Sequence, residues 1–198
     1  MDPSFQDETE QALIRQHAYQ VTDKLLLRPV LQSEAQVSFD LVDKNRERLR
    51  EWLYWVDDIR YVKDECKFVK EAQARVQDGK TLELGLYYRV STSSEEWTMI
   101  GMCGFVTILN DHGKLGYWID SSFTGKGIIT ACCTYLIKLG LETLKFDSIS
   151  LDAEPENVKS IAVAKRLGLV TDGIVYQSNQ FGKEVDVFTF TLPKTKPT

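Results

Sequence analysis

The run that most constrains this chain is Gly116-Tyr117-Trp118-Ile119-Asp120-Ser121-Ser122-Phe123-Thr124-Gly125-Lys126-Gly127-Ile128-Ile129-Thr130. A strand-like segment passes into a polar turn, then a two-glycine loop, then a helical pattern. That order leaves a fan of free backbone N–H groups at a helix N-terminus, where the helix dipole also favours negative charge. Two readings stand at this point. One is a cradle for phosphate; the other is a strand-to-helix turn that uses glycine for tight geometry. The dinucleotide pattern G-x-G-x-x-G lacks its third glycine here, and the nucleoside-triphosphate pattern G-x-x-x-x-G-K-[ST] is absent.

A chain of 198 residues with 43% hydrophobic content can bury one substantial core, so one domain is expected. No apolar run reaches membrane-spanning length, and Met1 to Glu10 is too acidic and polar for a secretory signal. A cytoplasmic protein with no membrane partner is expected. The net charge of −5 argues against nucleic acid as a partner and suits a basic peptide or polyamine. Cys66, Cys103, Cys132 and Cys133 have neither zinc spacing nor the look of a disulfide framework. Reduced, buried thiols are expected, and no metal.

Residues 1–23 are polar, with Leu13, Ile14 and Tyr19 available for a short amphipathic helix against the domain; a frayed tail is the other reading. Lys24–Pro29 reads as a strand. Ser33 to Asn45 is helical with Ser33 as N-cap, and Arg46 to Trp55 continues it. Asp64 to Gln77 is a further helix, stopped by Asp78-Gly79. Leu82–Val90, Trp97–Leu109 and Lys114–Ile119 form an antiparallel meander. Gly127–Lys145 is a long helix, Ser148–Ala153 a strand, and Asn157–Leu167 a helix ended by Gly168. Val170–Gln180 and Glu184–Leu192 close the chain as a hairpin. The result is a mixed α+β domain around a mostly antiparallel sheet.

The tail of the chain decides between the two readings of the loop. Asn157-Val158-Lys159-Ser160 is followed by Ala164-Lys165-Arg166-Leu167-Gly168-Leu169. Together with Gly116-Tyr117-Trp118-Ile119 and Gly125-Lys126-Gly127-Ile128, this order resembles the GNAT superfamily of acetyl-CoA-dependent N-acetyltransferases. More narrowly it resembles the RimJ/RimL-type branch, whose named members acetylate the N-termini of ribosomal proteins. Asn45 to Trp55 is similar to that branch's N-x-x-x-L-x-x-W-x-x-W segment near the acceptor site. The resemblance runs from about Leu25 to Phe190, which implies an N-terminal extension over 1–23 and a GNAT domain over 24–194. The fold it implies is a mixed, mostly antiparallel central sheet flanked by helices.

The resemblance also implies roles. Thr124, Gly125, Lys126, Gly127, Ile128, Ile129 and Thr130 would hold the coenzyme A pyrophosphate; Thr124 replaces the usual Arg or Gln, and Ile129 the small residue. Lys126 reaches either phosphate or solvent. Tyr117, Trp118 and Ile119 would run beside the pantetheine, and one of their N–H groups would polarise the thioester carbonyl. Asn157 would bond the pantetheine and Ser160 would protonate the leaving sulfur; helix capping is the alternative use of both. Many members place a tyrosine where this chain has Ala164. Trp52 and Trp55 are either core or acceptor-binding residues. Dimerisation is common among relatives.

The general base departs most from pattern. Some relatives place a glutamate where Asn179 falls, and Asn179 cannot take a proton; Asp152, Glu154, Glu83 and His112 are the candidates left, each with a surface or turn role as its alternative. An α-amine with pKa near ~7.7–8.0 is partly neutral at pH 7, whereas a lysine near ~10.4 is not. A missing strong base therefore suits an N-terminal α-amine acceptor. The alternatives are a small-molecule amine acetyltransferase, acting on a polyamine, amino acid or aminoglycoside, and a non-catalytic acyl-CoA-binding module.

Overall fold

The computed structural model describes residues 3–180 and 182–193. Its strands are β1 (Tyr19–Thr22), β2 (Leu25–Arg28), β3 (Leu82–Tyr88), β4 (Thr98–Leu109), β5 (His112–Ile119), β6 (Ser148–Ala153), β7 (Val175–Gln180) and β8 (Lys183–Thr191). They form one sheet in the order β1-β2-β3-β4-β5-β6-β8-β7. Every pairing is antiparallel except β5 with β6. The helices are α1 (Pro3–His17), α2 (Ala35–Leu49), α3 (Val62–Gln77), α4 (Ile128–Glu142) and α5 (Val158–Arg166). This is the mixed, mostly antiparallel sheet with flanking helices that the sequence predicts.

Strand alternation sends side chains to two covered faces. Leu115, Ile119, Ile149, Leu151 and Ala153 meet Cys132, Cys133 and Leu136 of α4 and Ala164 of α5 in the larger core. Trp118 and Met99 point the other way, into a smaller core with Val42 and Leu49 of α2 and Val69 of α3. The expected 1–23 extension contributes to the first face. Leu13 is buried, β1 pairs with β2, and the Glu10 carboxylate accepts from the Gln32 amide and the Gln73 side chain, both at 2.8 Å. The sheet therefore begins at Tyr19, upstream of residue 24.

Two local expectations are corrected. Ser33 does not cap α2. It lies inside a 3-10 turn over Gln32–Glu34, and Glu34 takes the organising role. The Glu34 carboxylate accepts from the Leu31 amide at 2.9 Å, from Arg28 at 2.6 and 2.8 Å, and from the Tyr87 hydroxyl at 2.9 Å. Nor does the helix run on to Trp55. α2 stops at Leu49, and a separate 3-10 turn covers Tyr54–Asp57. The Arg46 guanidinium explains the break: it donates to the Val56 carbonyl at 2.5 Å and the Ile59 carbonyl at 2.7 Å, folding the segment back over α2.

Between α2 and α3 lies a buried acid. Glu65 accepts a hydrogen bond from Ser38 at 2.5 Å, while its second carboxylate oxygen is buried without a partner. Burial raises its pKa against the lowering effect of Ser38. A raised acid stabilises the fold below its unfolded value, near ~4.3, and that contribution is lost as pH rises through the folded value. Glu65→Gln removes this dependence. In denaturant titrations, the stability of the wild type relative to the variant should fall as pH rises above the ordinary glutamate value of about 4.3; a difference that stays flat with rising pH contradicts the assignment.

Candidate active site

The site forms where β5 and β6 part. They pair from His112 with Ser148 to Leu115 with Leu151, and no further. β5 continues to Ile119 along β4, and β6 continues to Ala153 along β8. The Asp120 amide donates to the Ile100 carbonyl at 2.7 Å, which fixes the phase of the β4–β5 ladder. Backbone groups alternate sides along a strand, so Trp118 and Gly116 are turned to β4, and Tyr117 and Ile119 are turned to the gap. Of the three residues expected to line a pantetheine, Trp118 thus has its own N–H turned to the neighbouring strand.

The end of β5 is held from α2. Lys44 donates to the Asp120 carboxylate at 2.7 Å, and the Asn45 side-chain oxygen accepts from the Ser121 amide at 2.9 Å. Arg48 donates to the Ile119 carbonyl at 2.5 Å. Burial alone would raise the Asp120 carboxyl, but Lys44 and the Ser122 amide outweigh it and hold it below the usual carboxylate range. Asp120 caps a short 3-10 turn over Ser121–Phe123, which delivers the chain to the loop.

In the loop, Gly125 and Gly127 both adopt φ +74°, a left-handed conformation that favours glycine. A Cβ on either would meet nothing within 4 Å, so the requirement is conformational and the space above the loop is open. Gly127 begins α4, and the Ala131 amide makes the first helical bond, to the Gly127 carbonyl at 3.0 Å. The N–H groups of Ile128, Ile129 and Thr130 precede that bond and have no helical acceptor. Thr124 turns its hydroxyl back to the Ser121 carbonyl at 2.8 Å, and Lys126 lies over the Phe123 ring at 4.8 Å. A groove of about 620 Å³ begins at Gly127 and continues past Thr130 and Lys138, with Arg166 of α5 on its wall. Open space, unpaired amides and the Lys138 and Arg166 cations that line the groove fit a diphosphate.

Across the gap, on the α4/α5 face, the Tyr117 and Ser160 hydroxyls lie 2.7 Å apart. Burial raises the Tyr117 hydroxyl against the lowering effect of Ser160, so it keeps its proton at neutral pH. Asn157 caps α5, its side-chain oxygen accepting from the Ser160 amide at 3.1 Å. Ala164, one turn beyond Ser160, is buried in the same core that Tyr117 packs on. A phenol therefore reaches Ser160 from β5 rather than from the helix. Two thiols of this core stay protonated at neutral pH: burial pushes Cys132 up to about 12, and Cys103 is raised by its contact with Cys133 at 3.7 Å and by burial.

On the opposite face, Trp55 stacks on Phe68 of α3 with ring centres 6.0 Å apart and tilts against Trp118 at 6.5 Å. Trp52 is half-buried and lies in the bend before the 3-10 turn, so the two tryptophans do not share a helical face. The candidate bases are scattered. Asn179 accepts from the Gly182 amide in the β7–β8 turn, and Glu83 is held by Arg75 and Thr81. The Lys44–Asp120 and Arg48–Ile119 contacts were not read from the sequence, although Asp120 before two serines carries a capping signal.

Residues 24–170 match the acetyltransferase (GNAT) domain family, and the chain belongs to it. It is an acetyl-CoA-dependent acetyltransferase. The chain is 28% identical over 159 residues to YdaF of Bacillus subtilis (strain 168), covering 77% of this chain and 81% of that protein. It is 26% identical over 160 residues to the ribosomal-protein-serine acetyltransferase of Escherichia coli (strain K12), covering 80% and 86%. Its fold matches that of the ribosomal α-N-protein acetyltransferase RimL in complex with coenzyme A, with TM-score 0.78 and 24% identity over 88% of this chain and 96% of that one.

Gly127→Ala tests the cradle. A side chain in the left-handed region costs roughly 1–2 kcal/mol, and the loop relieves that strain by leaving the holding conformation. Calorimetry should show acetyl-CoA affinity reduced about 10-fold with the fold intact; unchanged affinity would place the pyrophosphate elsewhere.

Proposed function

We propose that this acetyltransferase delivers the acetyl group to a protein or peptide N-terminal α-amine by direct attack within a ternary complex. The observation that carries the reading is the parting of β5 from β6. It brings free strand amides, the two-glycine loop and the Tyr117–Ser160 hydroxyl pair to one end of the sheet. The choice of acceptor draws support from the Escherichia coli relative, named a ribosomal-protein-serine acetyltransferase. It also draws on the pKa of α-amines, which leaves part of the acceptor neutral near pH 7. A cytoplasmic place of action belongs to the same reading.

Acetyl-CoA supplies an acetyl group already activated as a thioester. The amides of Thr124 to Thr130 hold its diphosphate, and the Asn157 side chain meets the pantetheine. The Tyr117 or Ile119 N–H donates to the carbonyl oxygen as negative charge grows there, a role that needs no particular side chain. Ser160 gives its proton to the departing sulfur and is reprotonated through the Tyr117 hydroxyl, which passes on its proton as it regains one from solvent. Trp52 and Trp55 form the acceptor side, with Trp118 beneath them.

Thiol release with panels of N-terminal peptides and small amines, followed by mass spectrometry, tests the reading. Acetylation of peptide α-amines in preference to lysines, polyamines and aminoglycosides is expected. Preference for a small amine overturns the acceptor, and acetyl-CoA binding without transfer to any amine overturns the activity. Ser160→Ala should slow turnover by about 10- to 100-fold without abolishing it, because a thiolate of pKa near ~8.5 leaves with little help. Acetyl-CoA affinity should be unchanged in that variant; full turnover would remove Ser160 from the mechanism.

A further inference from the structure

We infer that Glu154 accepts the proton of the incoming amine and that Tyr54 is its positioning residue; this rests on the transfer reading above. Glu154 follows β6 directly, beyond the last residue paired with β5. Side chains alternate along β6, so Glu154 shares a face with Ser150 and Asp152, the face on which Trp118 and Trp55 lie. Carrying the Leu115–Leu151 register three residues further brings Glu154 level with Trp118 across the gap. The gap is therefore bracketed by two hydroxyl contacts. Tyr117 and Ser160 meet on the α4/α5 face, and the Tyr54 hydroxyl donates to Glu154 at 2.8 Å on the other. An acceptor approaching from the second face reaches the carboxylate before it reaches the free amides of β5.

Each rival acid or base is committed elsewhere. The Asp152 oxygens take Lys114 at 2.6 Å and Thr189 at 2.9 Å. Both His112 nitrogens are engaged, by Ser148 at 2.7 Å and Ser150 at 2.9 Å, where β5 and β6 are still paired. Glu83 is bound through both oxygens to Arg75. Glu154 has one oxygen on Tyr54, and its other oxygen is not among the buried unpartnered atoms of the described residues. The charged groups around it are Lys183 of β8, which lies over the Tyr54 ring at 3.8 Å, and the Lys114–Asp152 pair further along the same face. The Tyr54 hydroxyl is pushed up to about 12 by burial and by Glu154, so it donates rather than takes the proton.

The chemistry balances. The acceptor arrives as an ammonium and passes one proton to the Glu154 carboxylate, which returns it to solvent. The nitrogen lone pair forms the C–N bond, and the C–S bond breaks with its electron pair on sulfur. The second nitrogen proton leaves to solvent in balance with the one that Ser160 gives to sulfur. The products are the amide, the free thiol and one proton.

The test compares wild type, Glu154→Gln, Glu154→Asp and Tyr54→Phe in kcat/KM for a serine-starting peptide from about pH 7 to about pH 9, spanning the amine pKa. Calorimetry of acetyl-CoA binding accompanies it. Glu154→Gln should be about 10-fold slower at the low end, where only about a tenth of the amine is neutral, and converge on wild type at the high end, where the amine needs no base. Tyr54→Phe should lose about 2- to 3-fold and converge in the same way, and Glu154→Asp should fall between wild type and Glu154→Gln. Acetyl-CoA affinity should be unchanged throughout. A deficit that is constant with pH, in whichever variants fold, means a structural role and overturns the inference, as does wild-type rate in Glu154→Gln. A wild-type enzyme that binds acetyl-CoA but acetylates no peptide overturns the transfer reading itself.

Discussion

β5 and β6 share hydrogen bonds for only four residues each, and the arrangement of the whole site follows from that short pairing. A parallel pair that stayed together would consume the Tyr117 and Ile119 amides in its ladder. Instead β5 stays with β4, fixed at its end by the Asp120–Ile100 bond, while β6 is carried away by β8. What remains is a wedge with free donors on one wall. Lys44, Asn45 and Arg48 all reach it from the last turns of α2, so one helix sets the position of the open strand end.

The parting also divides the labour between the two faces of the sheet. The face under α4 and α5 carries the two-glycine loop and the hydroxyl pair over a core of aliphatic, phenylalanine and thiol side chains. The other face carries the tryptophans and the Tyr54–Glu154 bridge. In the proposed transfer, donor and acceptor approach the same strand amides from opposite sides, the geometry that direct attack needs. Among the described residues, four buried side-chain atoms lack partners; besides Gln32 Nε2 and a Glu65 oxygen, they are the Trp118 indole N–H on β5 and the Nε of Arg48, the α2 residue whose guanidinium reaches the end of that strand.

Much of this was legible in the chain because the relevant signals are local. Glycine before a helical run, Asp120 before two serines and Asn157 three residues before Ser160 each fix a turn or a cap within a few positions. The misreadings have long-range causes. Trp52 and Trp55 fit helical spacing, but Arg46 draws the carbonyls of Val56 and Ile59 back on itself, and no local pattern announces that. β1 is four residues in a polar segment, visible only through its pairing with β2. Glu154 looks like a turn residue until Tyr54, a hundred positions earlier, is brought against it.

If β5 holds the reacting carbonyl, the amides of Tyr117 and Ile119 are free in the enzyme alone and are taken up by acetyl-CoA. Residue-resolved amide exchange, followed by NMR with and without acetyl-CoA, tests it directly. Tyr117 and Ile119 should exchange quickly alone and become protected on binding, while Trp118, bonded to β4, is protected in both states. Protection of the Gly125–Thr130 amides with no change at Tyr117 and Ile119 would contradict it, leaving a coenzyme site without the strand that is meant to hold the reacting carbonyl.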